Sequence, residues 1–169
     1  MELSIIEAET MASIHPHPNI LRLVSFEKLG QEATLLATPL ATGGDSLKLM
    51  QQRNLVPLPE TDARGLFSQL MSGIKYLHDT GIVHRDIKCE NLLLTGAQRR
   101  SLVIADFGFA AKWKKGEKSL SEPWGSLHYS SPEICTKAPS CLRIPSLIRI
   151  PQAPPSPTRV PRSTSGARA

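Results

Sequence analysis

His84-Arg85-Asp86-Ile87-Lys88-Cys89-Glu90-Asn91 and, further on, Asp106-Phe107-Gly108 are knots of charged and amide side chains set between short apolar runs. Ile82-Val83 precedes the first, Leu92-Leu93-Leu94 follows it, and Leu102-Val103-Ile104-Ala105 leads into the second. Runs this short read as strands, and polar loops held between apolar strands are where chemistry usually sits. Just upstream, Thr61 to His78 carries Leu66, Phe67, Leu70, Met71, Ile74 and Leu77 at helical spacing, which predicts a core helix with one wet face.

Nearer the start, Gly43-Gly44-Asp45 breaks the pattern before a short helix expected over Ser46 to Arg53, and Pro57 and Pro59 break it again. Ile20 to Val24 and Ala33 to Thr38, parted by the turn-like Leu29-Gly30-Gln31, read as an antiparallel pair of strands. An opening helix from Glu2 to Ile14 stops at His15-Pro16-His17-Pro18, because proline lacks the N–H a helix needs.

The chain has 169 residues, 40% of them hydrophobic, enough for one core of ordinary size. Its net charge of +5 suggests a polyanionic partner until the charge is located. Basic and acidic residues balance over 1–137, and the excess comes from Arg143, Arg149, Arg159, Arg162 and Arg168 in a stretch without any acid. Nucleic acid is therefore not an expected partner, and neither is a membrane, since no apolar run approaches a spanning length. Cys89, Cys135 and Cys141 form no CxxC pair, so a reducing, cytoplasmic location is expected. Residues 138–169 are rich in Pro, Ser and Arg, cannot bury a core, and are expected to be a disordered tail. Within it, Pro151-Gln152-Ala153-Pro154-Pro155-Ser156-Pro157 is a candidate ligand for SH3-type grooves, its plainer reading being a linker.

The two polar stretches resemble the catalytic loop and the metal-binding loop of serine/threonine protein kinases, and Ser131-Pro132-Glu133 stands where that family has its A-P-E motif. Eight fixed positions (His84, Arg85, Asp86, Lys88, Asn91, Asp106, Phe107, Gly108) would coincide by chance in about one chain in a hundred million. The wording is similar to testis-specific serine kinases in the calcium/calmodulin-like group. The resemblance covers residues 2 to about 135 and implies an α+β, two-lobed kinase fold in part: a small-lobe remnant, the hinge, and the first half of the helical lobe. It implies ATP and Mg²⁺ as cofactors and a protein serine or threonine as substrate. Asp86 would orient the substrate hydroxyl and take its proton, Lys88 would neutralise charge on the moving phosphoryl group, and Asn91 and Asp106 would hold Mg²⁺.

The same resemblance makes Thr38 the gatekeeper, gives adenine the Pro39 carbonyl and the Ala41 N–H, puts Leu93 beneath the ring, and adds Asp45 to the nucleotide-binding set. Met11, Leu23, His84 and Phe107 fall where the family stacks its regulatory spine, although plain core packing explains each of them as well. Glu7, four residues before Met11, has the spacing of the αC glutamate, with Glu2 and Glu9 nearby and a solvent-facing role as the alternative. Ser126 takes the substrate-loop position, and Trp124 stands in place of the cysteine common in related kinases. Glu122 falls at a usual phosphosite, where its charge would pair with Arg85; Ser119 and Ser121 are alternative phosphosites.

The sequence contains no G-x-G-x-x-G and no V-A-I-K strand, so the phosphate-covering loop and the lysine partner of Glu7 are not among its residues. Each such charge-assisted contact is worth about 1.5–3 kcal/mol. Weak or absent phosphotransfer by this chain is expected, either as a fragmentary gene product or as a short pseudokinase with a binding role.

Overall fold

The computed structural model describes residues 3–30, 33–96, 98, 101–114 and 124–137. Glu2, Ser119, Ser121, Glu122 and the expected tail 138–169 lie outside the described residues. Helix α1 (Leu3–Ser13) runs into the His15–Pro18 break, as the prolines require. Strands β1 (Ser25–Leu29) and β2 (Ala33–Ala37) then pair antiparallel, Ser25 opposite Ala37 and Leu29 opposite Ala33.

The first strand is thus displaced from the one expected over Ile20 to Val24. Ile20 instead bridges Ile104 in parallel, and the Leu21 N–H donates to the Ile104 carbonyl at 2.9 Å. Those residues are apolar because they pack under the helical part of the molecule, with Ile20 buried and Leu21 and Leu23 half-buried against the core. Burial explains Ile20, Leu21 and Leu23, whereas Val24 is exposed and its N–H donates to the Ala37 carbonyl at 2.8 Å, at the end of the β1–β2 ladder.

Helix α2 (Ser46–Gln52) begins where expected, its first turn capped by the Asp45 side chain, which accepts from the Lys48 N–H at 2.7 Å. Helix α3 (Glu60–Asp79) has Glu60 and Asp62 in its first turn and His78 in its last, both favourable to the helix dipole. It packs on residues 101–104, with Gly73 facing Ile104, Leu77 in the core and Leu66, Leu70 and Ile74 against it. Phe67 and Met71, expected on that stripe, turn out exposed at 61% and 46%, because the stripe is narrower than the sequence spacing suggested. A Cβ on Gly73 would lie 2.8 Å from Ile104 Cδ1 and 3.0 Å from the Asn19 carbonyl, so only glycine lets α3 sit this close.

Two further ladders frame the polar loops. Strand β4 (Leu92–Thr95) pairs antiparallel with β5 (Ser101–Ile104), and β3 (Ile82–Val83) with β6 (Ala111–Lys112). Leu77, Leu94, Ile104 and Phe107 are fully buried at the centre, each stabilising the fold by about 1.5–3 kcal/mol relative to exposure. Helix α4 (Pro132–Lys137) follows, with proline at its first position, where no N–H is needed. Among the described residues no helix is long and apolar enough to cross a membrane.

A buried amide clasp ties these parts together. Asn19 Nδ2 donates to the Leu102 carbonyl at 3.0 Å and to Gln69 Oε1 at 3.2 Å, and Gln69 Oε1 also accepts from the Leu102 N–H at 2.9 Å. One loop, one helix and one strand are thereby held at a single point.

Candidate functional site

The β4–β5 ladder sets the geometry. Asn91 immediately precedes β4 and its carbonyl accepts from the Ala105 N–H at 2.9 Å, so the residue before β4 and the Ala105-Asp106 pair after β5 lie at one end of the ladder. Arg85 and Asp106 both adopt positive φ, 67° and 64°. Left-handed backbone at non-glycine residues costs on the order of 1–3 kcal/mol and persists only where surrounding contacts over-determine it. At Arg85 those contacts include the donation of its Nε to the Phe109 carbonyl.

Asp86 is 3% exposed and its carboxylate accepts four hydrogen bonds. Lys88 Nζ at 2.6 Å and Asn91 Nδ2 at 3.1 Å reach Oδ2; the Ser126 N–H at 2.9 Å and its hydroxyl at 2.7 Å reach Oδ1. Lys88 Nζ also donates to Ser126 Oγ at 3.0 Å. Burial by itself would raise the Asp86 pKa, but the bonds from Lys88 and Ser126 outweigh it, so the carboxyl titrates below its ordinary value and stays anionic.

His84 is buried behind this group. Its Nε2–H donates to the Ala105 carbonyl at 3.0 Å and its Nδ1 accepts from the Asp86 N–H at 3.3 Å, a pattern that suits the neutral ring. Burial lowers its pKa, in agreement. Its ring meets Phe107 edge-on at 4.9 Å between centroids; Phe107 and Met11 share the buried core, and Leu23 packs against it. The four spine positions are thus core residues here, with the His84–Phe107 contact direct.

Glu7 is half-buried, and its Oε1 accepts from the Phe107 N–H at 3.2 Å, whereas Glu9 is exposed. Burial, and secondarily the Asp106 charge, raise the Glu7 pKa against the opposing effect of that hydrogen bond.

The expected hinge residues lie between β2 and α2, where Gly43, Gly44 and Asp45 meet β4. The Gly43 N–H donates to the Leu94 carbonyl at 2.9 Å and the Leu94 N–H to the Gly44 carbonyl at 2.8 Å, with Asp45 bridging Leu93. A Cβ on Gly43 would fall 2.5 Å from the Leu94 oxygen, so glycine is required for this approach. Asp45 and Leu93 are thereby brought together, the Ala41 carbonyl accepts from the Gly44 N–H at 3.2 Å, and Thr38 and Pro39 are exposed just beyond β2.

The Asn91 amide nitrogen is committed to Asp86, so its amide oxygen is the atom that the expected metal role would use, and Asp106 is exposed. Hard oxygen donors of this kind fit Mg²⁺. A cavity of about 250 Å³ opens beside Asp86, lined by Arg85, Trp124, Ser126, Tyr129 and Ile134. A larger one of about 520 Å³, between the end of α1 and residues 20–26, is lined by Met11 and Leu23 of the spine positions but by none of the expected catalytic, metal or nucleotide residues.

The sequence did not disclose that Ser126 bonds both Asp86 and Lys88, nor that Gly125 must be glycine: its φ is 136°, and a Cβ would lie 2.9 Å from the Arg85 carbonyl. A glycine preceding a serine close to S-P-E was the only available signal. The Asn19–Gln69 clasp carried none, since neither residue stands out by type or spacing.

A buried anionic aspartate bridged to a lysine two residues on, followed by an Asp-Phe-Gly turn on the adjoining strand, defines the catalytic-loop region of a protein kinase. Comparison with known families agrees: residues 2–142 match the protein kinase domain, and the chain belongs to that family. It is 38% identical over 124 residues to human testis-specific serine/threonine-protein kinase 3, covering 73% of this chain and 44% of that protein. It is 42% identical over 123 residues to the serine/threonine-protein kinase GIN4 of Saccharomyces cerevisiae, covering 73% of this chain and 10% of the relative. Among solved structures, a chain of the yeast RNA Pol II CTD kinase CTDK-1 complex superposes with a TM-score of 0.65 at 30% identity, over 78% of this chain and 41% of that one. The chain thus spans less than half the length of these relatives.

Proposed function

We propose that residues 1–137 carry the phosphoryl-acceptor side of an ATP-dependent protein serine/threonine kinase site, with 138–169 as a tail. The observation that carries this reading is a serine hydroxyl held between the Asp86 carboxylate and Lys88 Nζ. A substrate serine or threonine offered there would present its O–H to Asp86 Oδ1, which would take the proton as the hydroxyl oxygen bonds the γ-phosphorus of ATP and the bond from that phosphorus to the β-phosphate oxygen breaks to release ADP, while Lys88 would neutralise charge beside it. Asn91 and Asp106 are assigned to Mg²⁺, which supplies charge neutralisation on the phosphates when bound. Thr38, Pro39, Ala41, Asp45 and Leu93 are assigned to ATP. Glu7, Arg85, Phe107 and Ser126 set the geometry of these groups, Glu122 is assigned a regulatory role through its charge, and the protein acts in the cytoplasm.

A second reading, a non-catalytic binding module with the Pro-rich tail available to SH3-type partners, is favoured by one observation. Glu7, which in the family pairs with a lysine, is here bonded to the Phe107 backbone. Transfer of labelled γ-phosphate to serine peptides by the whole chain separates the two. Transfer abolished by Asp86→Asn supports the kinase reading; none above the Asp86→Asn background supports the binding module.

A further inference from the structure

The Asp86–Ser126 contact joins a loop to a residue beyond the 115–123 stretch, so something must fix where the chain returns. Phe109 and Trp124 face each other as stacked rings, centroids 5.3 Å apart and planes inclined at 23°. Phe109 is the first residue after Asp106-Phe107-Gly108, and Trp124 lies two residues before Ser126. The backbone on either side is pinned to the same residue: Arg85 Nε donates to the Phe109 carbonyl, and the Arg85 carbonyl is approached so closely by Gly125 that no side chain fits there. Beyond Gly125, the Ser126 carbonyl accepts from the Tyr129 N–H at 2.9 Å and from Ser130 Oγ at 3.0 Å, so the serine is fixed from both sides.

We propose that the Phe109–Trp124 stack is a positioning clamp, holding the residue after Asp106-Phe107-Gly108 against the residue two before Ser126, so that Ser126 is delivered to Asp86 and Lys88. Its consequence for phosphotransfer rests on the kinase reading above; the clamp itself does not. Offset aromatic pairs add to area burial and hold a fixed geometry, and tying the chain together at Phe109 and Trp124 restricts how far Ser126 can move from the carboxylate. Phe109 and Trp124 are positioning residues, since they act through the backbone of Gly125 and Ser126.

Amide hydrogen exchange on the whole chain tests this without nucleotide or phosphotransfer. The Ser126 N–H reports the clamp, and the Asn91 N–H, bonded to the Lys88 carbonyl at 3.0 Å, reports the catalytic loop alone. Phe109→Ala is expected to lower Ser126 protection about tenfold while leaving Asn91 within about twofold, with Phe109→Tyr behaving as wild type. In a Trp113→Phe background, the emission of Trp124 should shift to the red in Phe109→Ala and not in Phe109→Tyr. Unchanged Ser126 protection, or equal loss at Ser126 and Asn91, overturns the proposal. Trp124→Leu gives a second route to the same contrast, and failure of both variants to fold would make the rings ordinary core and overturn it too. A chain that transfers no phosphate yet shows the contrast would remove the kinase reading and leave the clamp standing.

Discussion

Removing the Ser126 hydroxyl by Ser126→Ala takes away one of four donors to Asp86 and one acceptor of Lys88. Hydrogen bonds to a charged group are worth about 1.5–3 kcal/mol. The Ser126 N–H still reaches the same carboxylate oxygen at 2.9 Å, so the lower end applies and the variant should lose about 1.5 kcal/mol at neutral pH. The sign of the pH dependence follows from the Asp86 pKa, which lies below its ordinary value in the folded chain. A depressed carboxyl contributes stability that is full above the ordinary aspartate range and is lost as pH falls through the folded value. Ser126→Ala moves that folded value upward, so its cost should be largest near neutrality and shrink in acid. Carbon-detected NMR titration of the Asp86 carboxyl, with unfolding in urea at several pH values, measures both quantities. An Asp86 titration identical in wild type and variant, or a stability loss that does not diminish on acidification, would refute the reasoning.

Glu7→Gln keeps an oxygen for the Phe107 N–H and removes a carboxylate whose pKa is raised chiefly by burial. Such a group loses stability as pH rises through its folded value, so the variant should melt above wild type near neutral pH and match it below the ordinary glutamate range, as thermal scans across pH will show. Gly73→Ala should destabilise by roughly 1–2 kcal/mol in denaturant titration, because overpacking against Ile104 and Asn19 exceeds the gain of about 1 kcal/mol in helix propensity. Leu77→Ala, at a position only 1% exposed, should cost about 2–5 kcal/mol in the same titration.

The parts of the fold legible in the sequence are those where composition and geometry have one cause. The runs at Ile82, Leu92 and Leu102 are strands because they are buried on both sides of polar loops, and both facts were visible as text. Helix α3 was legible from its period, although Phe67 and Met71 share the spacing of the buried stripe without its burial. Ile20 to Val24 misled because an apolar extended segment looks like a strand whether its backbone is laddered or only packed. In the site, Asp86, Lys88 and Asn91 stand within one loop, so their convergence was local and readable. Ser126 reaches Asp86 through contacts of Arg85, Phe109, Trp124 and Gly125, and meetings of that kind between distant residues leave no periodic trace. Glu7 could be separated from Glu9 only once α1 was seen to turn one toward Phe107 and the other to solvent.

Whether this site engages its nucleotide is tested most directly by thermal unfolding of the whole chain with and without Mg·ATP, using Asp106→Asn to remove one of the two proposed metal ligands. The account predicts a cooperative transition raised by Mg·ATP in wild type and unmoved in Asp106→Asn; no response in wild type, or the same response in both, would contradict it.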